Sequence, residues 1–156
     1  MDTSFHSHNK GIEVLPKDIV SGVDNVLKEI NFIFSEKCAR RLRKIVGENL
    51  HAKGWSNSTK INQESNISIT SMNKGVALCM QTGNMSRFYA DLLKLQLLYT
   101  KGKAIGAIYI IPTKSAAQKM GSNVANYLRF VAEIEIFKEI ISIPVVVIGI
   151  KEDKTK

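Results

Sequence analysis

Two runs in the second half of the chain, AIGAIYIIP at 104–112 and PVVVIGI at 144–150, are apolar without interruption. A strand with one wet face alternates apolar and polar side chains, so a strand that is apolar throughout needs cover on both faces. Strands separated by helices supply that cover. Helical spacing is present in the right places. Pro16 suits the first turn of a helix in which Ile19, Val23, Leu27 and Ile30 recur on one face to about Asn31. A second helix is predicted from Ser35 as N-cap to Ala52, with Cys38, Leu42, Ile45 and Val46 inward and Gly54 as its stop. A third carries Phe88, Tyr89, Leu92, Leu95, Gln96 and Tyr99 along one flank and ends at Gly102. The last opens at Gly121-Ser122-Asn123 and keeps Val124, Tyr127, Leu128, Val131 and Phe137 at helical spacing.

Between the second and third helices the period changes. WSNSTKINQESN is a polar loop, Ile67 and Ile69 then alternate with Ser68 and Thr70, Met72-Asn73-Lys74-Gly75 reads as a tight turn, and VALCMQ returns as a strand. The order ααββαβαβ predicts one α/β domain over 1–156, a mixed sheet flanked by helices. Residues 1–15 are read as an arm or irregular lead-in, and 151–156 as a solvated tail.

The two cysteines, Cys38 and Cys79, lie far apart with no zinc-type spacing, so neither a disulfide framework nor a structural zinc site is expected. The polar start MDTSFHSHNKGIEV lacks the apolar run of a signal peptide. The greasiest stretch, IISIPVVVIGI, is about 11 residues, too short for a membrane span. These features predict a cytoplasmic protein with no membrane association, and no small-molecule cofactor motif is evident. The net charge of +8, from 22 Lys and Arg against 14 Asp and Glu, points to a polyanionic partner, with a merely solubilising basic surface as the plainer reading.

The hairpin decides where polar groups converge. With Asn73 and Lys74 as a two-residue loop, Thr70 pairs with Ala77 and shares a face with Cys79 and Gln81. A three-residue loop using Gly75 puts Thr70 on the opposite face. The sequence leaves both open.

The run VALCMQTGNMSRFYADLLKLQLLY resembles the stretch of BglII-type restriction endonucleases in which a strand bearing Glu-x-Gln leads through a short turn into a helix. AIYIIPTKSAAQKMGSNVANYLRFVAEIEIF followed by SIPVVVIGI resembles the family's next strand, loop, long helix and last strand, and SHNKGIEVLP its opening. The resemblance is good over 70–150 and loose before that. It implies the PD-(D/E)XK nuclease fold, Mg-dependent cleavage of duplex DNA and a two-fold homodimer. In that family an Asp and a Glu hold the metal and a nearby Lys or Gln positions the attacking water. Carried over residue by residue, the Gln matches Gln81, the Glu position is Cys79, and the Asp position is Thr70. A thiol and a hydroxyl are poor ligands for a hard cation, so the resemblance implies a DNA-binding relative with impaired cleavage. The alternative is a non-catalytic, dimerising interaction or regulatory protein that keeps the fold.

Among other acids, Glu64 in the preceding loop is the first candidate to stand in as a metal ligand and Asp91, inside the following helix, the second; a mid-helix acid is ordinarily solvated. Cys79 has no histidine near it in sequence and reads as core rather than nucleophile. His6 and His8 form an HxH pair able to bind metal, though a flexible or locally bonded arm is the reading preferred. For nucleic acid, the candidates are Arg40, Arg41 and Lys44 on the basic face of the second helix, which also carries Lys37 and Arg43, and Arg87 and Lys94, two turns apart beside the site. Thr82-Gly83-Asn84 offers either backbone amides to an anion or a helix cap. Trp55 reads as a core plug under the loop.

Overall fold

In the computed structural model, which describes residues 1–153, the chain runs β1 (Asp2–His8), α1 (Gly11–Val14), α2 (Lys17–Glu29), α3 (Ala39–His51), β2 (Thr59–Lys60), β3 (Ser68–Ile69), β4 (Ser71–Asn73), β5 (Val76–Met80), α4 (Arg87–Thr100), β6 (Gly106–Pro112), α5 (Lys114–Met120), α6 (Tyr127–Ile136) and β7 (Val145–Lys151). The uninterrupted apolar runs become β6 and β7. With β5 they form the parallel centre of a five-stranded sheet ordered β1-β7-β6-β5-β4, and β1 and β4 close its two edges antiparallel. β2 and β3 pair as a separate small ribbon.

Side-chain alternation splits the core in two. Val76, Leu78, Met80, Ile108, Ile110, Val146, Ile148 and Ile150 point to the layer of α2, α3 and α5. Ala77, Cys79, Ala107, Tyr109, Ile111, Val145 and Val147 point to α4 and α6. The result is a mixed sheet with helices on both faces, as the continuous apolar strands require.

Three expectations are corrected. Residues 1–15 are not an arm: β1 pairs with β7 along its whole length, from Asp2 opposite Lys151 to His8 opposite Val145. Without it β7 would be a bare, apolar edge, an open template for aggregation. The tail is also shorter than expected. Lys151 ends β7, and the Glu152 carboxylate accepts the Phe34 N–H at 2.8 Å and pairs with Lys119; residues 154–156 lie outside the described residues. The second helix starts later than Ser35, because Lys37 at φ 61° breaks the helical path and Cys38 becomes the residue before its first turn.

The connection from β1 into α1 leaves no room for a side chain. A Cβ on Gly11 would lie 2.3 Å from the Val145 carbonyl oxygen, a backbone atom that cannot swing away. Gly11→Ala is therefore expected to lower stability by about 3 kcal/mol, measured as the shift of a urea unfolding curve.

Candidate functional site

The hairpin turn is Lys74-Gly75, at φ 45° and 77°. A type I′ loop needs positive φ at both positions, and placing glycine second is favourable. The turn thus falls one residue later than the Asn73-Lys74 expectation, and Asn73 pairs with Val76. The pairing shifts by two residues, so parity survives and Thr70 still comes up beside Cys79. The Thr70 hydroxyl accepts the Met80 N–H at 3.0 Å.

Cys79 and Gln81 project toward α4, where they meet Asp91. The Asp91 Oδ2 atom accepts from Gln81 Nε2 at 2.7 Å and from Tyr109 Oη at 2.9 Å, while Lys94 Nζ lies 3.4 Å from Oδ1. Gln81 is pinned at both ends, since its Oε1 accepts the Gly83 N–H at 2.9 Å. Tyr109 is the parallel-ladder neighbour of Cys79 and stacks on Phe130, 4.2 Å between ring centroids. Burial first, and the Asp91 charge second, hold both the Cys79 thiol and the Tyr109 phenol well above their ordinary pKa values. Cys79 is 2% exposed and stays a thiol. Native protein is accordingly expected to leave Cys79 unlabelled by iodoacetamide at pH 8 and to label it on unfolding, as read by mass spectrometry.

This network forms the inner wall of a cleft of about 500 Å³ lined by Arg43, Ser68, Met80, Gln81, Thr82, Gly83, Arg87, Ala90, Asp91 and Lys94. Arg43 reaches it from α3 and donates to Thr82 Oγ1 at 2.5 Å. Arg87 and Lys94 both line it. The other basic residues of α3 are engaged elsewhere or exposed: Arg41 stacks 4.8 Å over the Phe32 ring, Lys44 pairs loosely with Glu48, and Arg40 faces solvent. Asn84 accepts from Ser86 N–H and Oγ, fixing the turn into α4. Glu64 sits exposed on its loop and is not among the cleft residues.

Asp91, the second choice after Glu64 on sequence, lines the cleft and Glu64 does not. Asp91 lies three residues after Phe88 and four before Leu95, in line with the buried stripe of α4, and that spacing was the available signal. Tyr109 and Arg43 were also missed as members of the site. His8 is no part of a flexible arm. It is buried, with Nε2 donating to the Ile141 carbonyl at 2.6 Å, and His6 bonds to Glu135 at 3.1 Å. Trp55 is buried, as expected of a plug.

Magnesium, which the family resemblance implies, wants oxygen ligands, carboxylate above all. The donors here are a protonated thiol, a hydroxyl already accepting an N–H, and one carboxylate met by three donors. This set does not fit a hard divalent cation. Among the described residues no group of three or more His, Cys, Asp or Glu side chains could hold a metal ion, and no helix is long and apolar enough to cross a membrane.

Comparison with known proteins fits this geometry. The family described as restriction endonuclease BglII/BglIII matches residues 3–150. The crystal structure of BglII complexed with a DNA 16-mer superposes with a TM-score of 0.87 at 14% identity, covering 98% of this chain and 78% of that one. Free BglII superposes at 0.79, again at 14% identity, covering 98% of this chain and 81% of that one. No curated protein sequence matches the chain. With the family's model matched over residues 3–150, nearly the whole chain, the chain belongs to the BglII/BglIII restriction endonuclease family.

Proposed function

We propose that this protein is a cytoplasmic, homodimeric DNA-binding member of the family in which Mg-dependent double-strand cleavage is lost. The observation that carries this reading is the cleft itself. Three cations, Arg43, Arg87 and Lys94, line it against the single carboxylate of Asp91, and by the resemblance Gln81 takes the family's Gln position while Thr70 and Cys79 take those of its metal-binding Asp and Glu. A gel-shift against duplex DNA at low salt, paired with a plasmid-nicking assay with and without Mg²⁺, tests it. Retarded, uncut DNA is the expected result, and Mg-dependent cutting overturns it.

Binding of this kind is electrostatic, so its logarithm should fall with the logarithm of salt concentration by about 0.9 per phosphate neutralised. Replacing Arg40, Arg41 and Lys44 by Gln tests the outer face of α3. A flatter slope makes that face a contact surface, and an unchanged slope confines contact to the cleft.

Dimerisation has a better surface on α4 than on α2. The outward residues of α2 are polar, whereas α4 exposes Tyr89, Leu93 and Leu97 at four-residue spacing, and Leu93 is 65% exposed. Phe137 and Ile140, just after α6, extend this apolar face, and a groove of about 230 Å³ runs between Tyr89, Leu93, Phe137 and Ile140. A second copy packing α4 against α4 about a two-fold axis covers such a face on both chains at once. Leu93→Asp with Ile140→Asp is expected to turn a dimer mass into a monomer mass in light scattering. A monomer mass for the unsubstituted chain at micromolar concentration sinks the dimer.

A further inference from the structure

We infer that Lys94 occupies the role of the missing cation, and that Arg43, Arg87 and Lys94 together hold one phosphate group of a nucleic acid without any metal. The inference rests on the DNA-binding reading and deepens it by naming the groups that replace the metal.

The charge balance of the cleft is the first argument. Three side-chain cations line it against a single carboxylate, Asp91. Asp91 is also the group a metal would need, and it is already engaged. Lys94 lies 3.4 Å from Oδ1, Gln81 and Tyr109 fill Oδ2, and the side chains of Asp91 and Lys94 are only 13% and 25% exposed. A second cation entering here would meet a surplus of positive charge, whereas an anion would be drawn in. An ammonium is a compact point charge with three donors, so Lys94 can satisfy Asp91 and still offer protons to a phosphate oxygen.

The placement of the two arginines is the second argument. Arg43 comes from α3 on one side of the sheet and Arg87 from the start of α4 on the other, so the cleft is approached from two separate elements. One Arg43 nitrogen is fixed by Thr82 Oγ1, and the guanidinium has five N–H donors in all. Arg87 lies against Gly83, its Nη1 3.6 Å from where a Cβ on that residue would sit, and a Cβ there would also come within 3.1 Å of Gln81 Oε1. The bare glycine thus leaves space for the guanidinium and for a ligand oxygen beside the cleft floor. Paired guanidinium forks with an ammonium make a phosphate site that needs no metal bridge.

The test measures two probes at matched ionic strength, a short DNA duplex by fluorescence anisotropy and inorganic phosphate by amide chemical shifts of Thr82 and Gly83. Duplex affinity should be the same in EDTA and in Mg²⁺. Arg43→Gln and Arg87→Gln should each reduce the salt slope by about 0.9 and abolish the phosphate-induced shifts, with circular dichroism unchanged. Lys94→Gln should uncover Asp91 and make duplex binding respond to Mg²⁺ for the first time. Duplex binding that persists with an unchanged slope in both arginine variants overturns the clamp and leaves the DNA reading intact. Phosphate that shifts the cleft amides while the duplex fails to bind removes the DNA reading and leaves the clamp. Binding that collapses in EDTA overturns the claim that no metal is needed.

Discussion

The chain carrying Thr70→Asp and Cys79→Glu together is expected to bind Mg²⁺ or Mn²⁺ and to nick duplex DNA, whereas the unsubstituted chain does neither. Position 79 is 2% exposed and faces Asp91. A carboxylate introduced there is a buried charge beside another of the same sign, and an uncompensated buried charge costs about 3–5 kcal/mol. The double variant should therefore be less stable than the parent in EDTA and recover a large part of that loss when a divalent cation is added, which a thermal melt in each condition reads directly. Thr70→Asp keeps an oxygen able to accept the Met80 N–H, so the hairpin should survive the change. Each single substitution should do far less, because two metal ligands act as a unit. A double variant that melts at the same temperature with and without metal removes positions 70 and 79 as the family's acid positions. Cleavage by the unsubstituted chain places the chemistry elsewhere in the cleft, with Asp91 the first residue to replace.

How much of this was readable before the fold was known depends on what each element is made of. The apolar strands β6 and β7 announced themselves because burial on both faces leaves no polar position to obscure them. β1 did not. DTSFHSH is polar because an edge strand is buried only in part, and its place beside β7 is set by a partner more than 130 residues away in the chain, which no local pattern contains. The face shared by Cys79 and Gln81 followed from alternation alone. The sequence leaves open the turn that brings Thr70 alongside, and the positive φ at Lys74 and Gly75 resolves it. Thr70, Cys79 and Gln81 stand out in the sequence only through the resemblance, which assigns them the family's positions. The network that engages them is not legible there, since Asp91 reaches Gln81 and Tyr109 across two packed layers. Asp91 and Tyr109 each looked ordinary alone, a helix acid and an aromatic in an apolar strand. A tyrosine in a fully buried strand is nonetheless a signal, because its hydroxyl requires a partner when no water can reach it.

The same network predicts how the protein fails in alkali. Cys79 and Tyr109 both hold their protons more tightly in the folded state than in the unfolded chain, Cys79 chiefly through burial and both with the charge of Asp91 adding to it. The sign follows directly. Their contribution is fully present below the ordinary values of 9.0 and 10.0 and is lost as the pH climbs above them, because the unfolded chain then releases protons that the folded one keeps. Each group removes about 1.4 kcal/mol per pH unit once its unfolded form ionises. Cys79 acts alone from pH 9 to 10 and Tyr109 joins it above 10, so the two together should remove roughly 4 kcal/mol by pH 11. Urea unfolding at half-unit steps from pH 8 to 11 measures this. Cys79→Ser keeps a small side chain but leaves nothing to ionise in this range, so its stability should stay nearly flat between pH 9 and 10 and bend downward only above that. If the parent and the serine variant lose stability in parallel from pH 9, the thiol is not held protonated in the fold, and the burial that should hold it so is not what position 79 provides.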